Sequence, residues 1–361
     1  MAKQSVLEVK RKQTREEILA IRENVAPALF LNLIRYIAPN LKKYQSPMSW
    51  ILNVFFINFL IVIPGLVVAF LLNEVNGMKN FWLDWVVGVE ISICGLLATY
   101  LISRNIMNEL SGGIIKNINN ADDLLKLLEW LRQSWSAKTV LNFALPIWIA
   151  WVCLSIGGVS YSEGRFIGFG LSIITIPTGF AVGVSSYVIL WVIRLAVQLG
   201  GFRYDMNNIM PVNSEVIERL SKMFNDYLYV AAAFFAFSTL LSSFVRYGNV
   251  VGYPFVLAGW ATITTQFFVA RSTIGRIVSR AKWETLNKIQ SQMNQIQSKG
   301  NLAKKETTDS LLRLADVYQK ILLTRSATAD SKGLVNFFSQ MMLPFLGFLV
   351  ANFEKIVALF S

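Results

Sequence analysis

Residues 51 to 72 read ILNVFFINFLIVIPGLVVAFLL, a continuous apolar run that decides the class of the chain. A bilayer hydrocarbon core is about 30 Å thick and takes roughly 20 apolar residues to cross as a helix. The run is continuous rather than alternating, so it reads as a transmembrane helix and not as a barrel strand. Working outward from this first span, about 50–73, five further runs of similar character follow. They cover about 81–103, 140–160, 166–199, 227–245 and 250–271. The expected fold class is therefore all-α, a polytopic helical membrane protein with about six spans in three hairpins.

The connections alternate in character. Short links follow spans one, three and five, at 74–80, 161–165 and 246–249. Long polar segments follow spans two and four, roughly 104–139 and 200–226. The short links hold Lys79, Arg165 and Arg246, and the other 31 of the 34 Lys and Arg lie on the opposite side or at its border. Cationic loops stay in the cytoplasm, so both the N-terminus and the region after span six are expected there. Trp50, Trp135 and Tyr227 fall at inner span ends, and Trp82, Trp85, Tyr161 and Tyr253 at outer ends, where amphipathic rings favour headgroups. The expected home is the plasma or inner membrane of a prokaryote.

The formal net charge of +12 is accounted for by this topogenic asymmetry facing an anionic leaflet, and nucleic acid is not expected as a partner. Histidine is absent, which excludes His-based acid–base catalysis and Ser-His or Cys-His nucleophiles. The two cysteines, Cys94 and Cys153, both lie inside apolar runs, so neither a disulfide framework nor a zinc site is expected. No cofactor is implied. Ser111-Gly-Gly-Ile lacks the Lys-Ser/Thr of a phosphate loop, and Asp84 at the edge of span two is the only Asp in any span. No catalytic residue stands out, and the chain is not read as an enzyme.

Four regions follow from the pattern. Residues 1–49 form an amphipathic N-terminal segment, with a capping box at Thr14 and Glu17 opening a helix to about Asn24. An interfacial helix follows in ALFLNLIRYIAPNLKK, 28–43. Residues 50–271 hold the spans. Two inner segments, 120–134 and 213–225, share a design: an Asn or Ser cap, acidic residues, then apolar residues at helical spacing leading into the next span. Residues 272–333 carry two apolar stripes joined by the turn QSKGN (297–301), expected as a cytoplasmic helical hairpin whose first helix continues span six. Residues 334–361 are apolar but interrupted by Pro344 and Glu354–Lys355. They are read as an interfacial or membrane-embedded helix rather than a seventh span.

Three sets of residues in the spans invite a function. Glu90 is a carboxylate well inside span two, costly there unless paired, hydrated or protonated, with interhelical bonding as its plainer role. Thr262, Thr265 and Gln266 fall on one face of span six at i, i+3, i+4 spacing, suited to lining a pore or to bonding a neighbouring helix. Pro177, Gly179 and Gly183 sit in an over-long span four. They permit either a kinked or unwound turn beside a cavity or close approach of a neighbouring helix. The leading expectation is a channel or transport-type protein regulated through its cytoplasmic helices. It would be a homo-oligomer in the lipid bilayer, with room for a protein partner at the cytoplasmic face. The alternative is a membrane scaffold that does not transport.

Overall fold

The computed structural model describes residues 2–23, 25, 63–72, 82–163, 169–206, 211–242, 248–299, 305–324 and single positions between 335 and 350. Among these the chain is helical, without a strand: α1 (Ala2–Glu23), α2 (Trp82–Glu109), α3 (Ala121–Ser134), α4 (Ala137–Glu163), α5 (Phe169–Leu199), α6 (Glu215–Ser242), α7 (Gly248–Lys299) and α8 (Lys305–Leu323). Residues 63–71 are helical as well. Four segments are long and apolar enough to cross a membrane: Val86–Asn117 in and beyond α2, Ala137–Gly157 in α4, Ser172–Leu199 in α5 and Glu215–Leu241 in α6. The chain is thus a helical membrane protein. The first and sixth expected spans are not among the four, since most of 50–73, and the side chains that open 250–271, lie outside the described residues. So do the interfacial helix at 28–43 and most of the tail, whose described positions are helical.

Two boundaries differ from expectation. The N-terminal helix starts at Ala2, not at Thr14, because 2–13 offer no Gly or Pro to stop it. Thr14 is therefore a buried mid-helix residue rather than a cap, and Glu17 pairs with Arg132 of α3. The second span does not end at Ser103. Its helix runs to Glu109, loosens into a π turn at Leu110–Ile114 around Gly112 and Gly113, and tightens to a 3-10 turn at Ile115–Asn117. The acidic helix start at 213–225 does lead into span five, since α6 runs unbroken from Glu215 to Ser242. Asn120 does cap α3, accepting from the Asp122 N–H at 3.1 Å, and α7 does carry the sixth apolar run into the charged region as one helix. At 1.5 Å per residue α7 is about 78 Å long, far more than a bilayer core.

The described part has two ends of different character. At the charged end, α1 lies along α3 and the π turn. Leu110, Ile114, Ile115 and Ile118 meet Leu124, Leu127 and Leu131 of α3, Leu199 at the end of α5, Phe202 just after it, and Leu220 and Phe224 of α6 in one buried cluster. Polar links stitch its rim. Arg11 donates to the Ile118 carbonyl at 2.8 Å, and Arg22 donates to Asn108 Oδ1 at 2.7 Å. Two connections distant in sequence pair across Ile118 and Tyr204: the Asn119 N–H donates to the Arg203 carbonyl at 2.9 Å and the Asp205 N–H to the Asn117 carbonyl at 2.7 Å. Arg280 of α7 donates to the Gly201 carbonyl at 2.9 Å, and Tyr204 to the Leu199 carbonyl at 2.9 Å. Burial, with Asp123 beside it, pushes the Tyr204 phenol well above its ordinary value, against the pull of Arg280.

At the apolar end helices meet over glycines. A Cβ on Gly183 of α5 would lie 2.7 Å from the Ala144 carbonyl oxygen of α4, and one on Gly179 would lie 2.7 Å from Trp148. These two contacts show α4 and α5 packed antiparallel. Helix α5 passes Pro177 unbroken, so the unwound turn is not formed and the small residues serve close approach. Gly95 of α2 lies against Phe234 of α6 and Ser185 of α5, and Gly259 of α7 against Phe235 of α6.

Beyond the bundle α7 and α8 form the expected hairpin. Leu286, Ile289 and Ile321 are buried in its seam, with Met293, Leu314, Val317 and Tyr318 packed on them. Lys282 donates to the Leu322 and Thr324 carbonyls, both at 2.8 Å, and so caps the end of α8.

Candidate membrane-interior site

Gln266 is a fully buried amide on α7. It lies one heptad after Gly259 and one before Thr273, so the three share a face of α7. Gly259 meets Phe235 of α6, and Thr273 Cγ2 lies 3.3 Å from the Cβ position of Gly200 at the end of α5. That face therefore looks into the seam between α5 and α6. Gln266 is 0% exposed there, flanked along its stripe by buried Ile263 and Ala270. Among the described residues, neither Oε1 nor Nε2 of Gln266 has a hydrogen-bond partner.

Most hydroxyls in the spans bond their own helix. Ser92 donates to the Gly88 carbonyl at 2.7 Å, Thr99 to Leu96 at 2.9 Å, Ser186 to Val182 at 2.9 Å and Thr239 to Phe235 at 2.7 Å. An amide cannot fold back in this way with both its atoms. Ser238 Oγ of α6 and Thr273 Oγ1 of α7 share the condition of Gln266, buried and unpartnered. Each such group costs about 1–3 kcal/mol relative to a satisfied one. Native interiors rarely keep them without a use.

The predicted face of span six is divided by the packing. Gln266 is inside, Thr262 half-exposed and Thr265 exposed. The i, i+3, i+4 spacing does place them together, but the seam takes only the Gln266 edge of that face. Glu90 is half-buried in α2 and lies elsewhere. Gly95, Ser185, Phe234, Phe235 and Gly259 form one layer. Glu90 sits on its apolar side and Gln266 on its charged side, roughly 18 Å apart in depth at 1.5 Å per residue. The structure does not bring Glu90 and Gln266 into one ring.

Nearer the charged end, a cleft of about 240 Å³ opens between α2 and α6, lined by Asn105, Asn108, Glu109, Lys222 and Asp226. Glu109 pairs with Arg219 at 3.4 Å and Lys222 at 3.8 Å, and Arg219 also meets Glu215 at 2.9 Å. Arg219 reaches them by lying across Gly113, where a Cβ would fall 2.3 Å from its Cδ. Sequence reading missed this network because its members are 110 residues apart. The Gly112-Gly113 pair in an otherwise helical run was the signal available. No family model, curated protein or solved structure matches the chain.

Proposed function

We propose that the chain is a membrane channel or transport-type protein. Its path follows the α5–α6–α7 seam past Gln266, and its regulation reaches that seam from the cytoplasm through α7 and the α7–α8 hairpin. The N-terminus and the hairpin are cytoplasmic in this reading, on the positive-inside argument, and copies associate in the plasma or inner membrane of a prokaryote. The observation that carries it is the fully buried Gln266 amide, unpartnered among the described residues, with Ser238 of α6 and Thr273 of α7 in the same condition at other depths. Unpaired donors and acceptors in a lipid-depth seam suit a solute or ion that supplies the missing bonds as it passes. Glu90, farther out, is a second polar station on such a path.

Flux or current in liposomes containing the full chain tests the reading. The expected result is passage that falls at least tenfold in Gln266→Leu, with the protein still folded, and that changes in Glu90→Gln. Absence of any ion or solute passage, with Glu90→Gln equally inert, overturns it.

One observation favours the scaffold instead. Trp283, Leu312, Leu322 and Leu323 are exposed on the hairpin, and Leu312 lines a groove of about 450 Å³ between α7 and α8. A stoichiometric partner recovered from native membranes and lost on deleting 273–361, in a chain without conductance, supports that alternative.

A further inference from the structure

The start of α4 and the last turns of α5 enclose a cleft of about 280 Å³, with Thr139, Asn142 and Arg194 at its polar edge and Phe143, Leu190 and Trp191 as its walls. Its depth is set by length. Helix α5 has 31 residues, about 46 Å, against a hydrocarbon core of about 30 Å. Arg194 is 25 residues along this helix from Phe169, about 38 Å, so it falls beyond the hydrocarbon core when the helix is counted from its first turn. Buried rings back the cleft: Trp191 lies 5.0 Å from Trp135, and Trp135 lies 5.7 Å from Tyr187.

Lipid borders this cleft. Helix α4 is 11% buried over its span, against 56%, 50% and 44% for the other three. Leu141, Leu190 and Val197 are exposed around the cleft, as are Asn142 and Arg194. At the charged end several other arginines have a carboxylate: Arg132 has Glu17, Arg203 has Glu284, and Arg219 has Glu109 and Glu215. Arg194 has no ion pair among the described residues, a condition it shares with Arg104, Arg271 and Arg276; what sets it apart is the cleft beside it. Beside it stands the N-terminal turn of α4, where Ser136 Oγ accepts from the Thr139 N–H at 3.3 Å. The positive end of that helix adds to the guanidinium field.

The geometry points to a binding site for one anionic glycerophospholipid. Its phosphate sits in the fork of Arg194, with Asn142 and Thr139 donating, and its acyl chains run along Leu190 and Phe143. A guanidinium fork matches a phosphate bidentately, and the lipid supplies the anion that the protein withholds. The site stands apart from the Gln266 seam and does not depend on transport.

Thermal unfolding of the purified, delipidated full chain in detergent, titrated with dioleoyl phosphatidylglycerol or dioleoyl phosphatidylcholine, tests it. Phosphatidylglycerol is expected to give a saturable rise in Tm, and phosphatidylcholine a much smaller one. Arg194→Gln is expected to weaken the phosphatidylglycerol midpoint at least tenfold and Asn142→Leu several-fold. Lys126→Gln, an exposed cation on α3, should leave it unchanged. An equal midpoint in Arg194→Gln and Asn142→Leu, an equal loss in Lys126→Gln, or the same rise from inorganic phosphate alone overturns the proposal.

Discussion

Leu124, Leu127 and Leu131 on α3 are each 0% exposed, whereas Leu141 and Leu145 on α4 are each 44% exposed and Leu154 is 75% exposed. The residue type is the same and the neighbouring medium is not. At the charged end, apolar side chains must leave water, and burying a leucine there contributes about 1.5–3 kcal/mol. That end consequently packs like a soluble core, with α1, α3, the π turn and the start of α6 around it. Along the spans lipid tails are as apolar as leucine, so burial gains little and helices associate through close contact instead. Gly95, Gly179, Gly183 and Gly259 supply that contact. One bundle is thus held by two different forces at its two ends.

The sharpest break of this comparison is a pair of leucine truncations. Leu127→Ala at the charged end should cost about 2–5 kcal/mol, as large-to-small changes in close-packed cores do. Leu154→Ala on α4 should be near neutral. Denaturant unfolding in detergent of the two variants measures the difference, and equal losses would remove the distinction.

Next in size is the glycine contact. Gly183→Val forces backbone against the Ala144 carbonyl and should cost about 1–3 kcal/mol, the range of overpacked cores. Gly157→Val is the control, since a Cβ there meets nothing within 4 Å. The same unfolding assay reads both.

Alkaline pH should weaken the charged end selectively. Burial raises the folded-state pKa of Tyr204 above the ordinary tyrosine value of about 10, so the folded protein favours the protonated phenol. Its contribution is complete below pH 10 and declines above it, by about 1.4 kcal/mol per pH unit until the folded pKa is reached. Tyr204→Phe should remove that part of the slope while losing only the bond to Leu199. Unfolding curves collected between pH 9 and 11 check it.

The smallest effect is expected at Gly113→Ala. The added methyl displaces the flexible Arg219 side chain rather than backbone, loosening its pairs with Glu109 and Glu215. Partly exposed pairs are worth about 0–1 kcal/mol, so the loss should be slight and should vanish in high salt. A loss as large as that of Gly183→Val would mean that the π turn itself, not the ion pairs, depends on this glycine.

Much of the fold was legible because periodicity and length are local properties. The cap at Asn120, the long helix from Gly248 to Lys299 and the hairpin with Leu286, Ile289 and Ile321 in its seam are all visible in spacing. The N-terminal boundary was misplaced because a capping box is only a signal, and Thr14-x-x-Glu17 lies inside a helix that nothing earlier interrupts. At the candidate site, sequence singled out Gln266 but grouped it with Thr265, since spacing defines a face and not which face is covered. Arg194 and Trp191 went unmarked: an arginine near a span end looks like ordinary topogenic charge until the cleft beside it is visible.

By itself the sequence determined the helical membrane class and the placement of cationic charge, because hydrophobic length and charge are sums over neighbouring residues. Tertiary structure alone decided which apolar residues form a core and which face lipid. It also decided that the connections at Ile118 and Tyr204 pair, that Gln266 is buried with no partner among the described residues, and that Arg194 is exposed beside the α4–α5 cleft. Each of these depends on contacts between residues far apart in the chain, which local patterns do not encode.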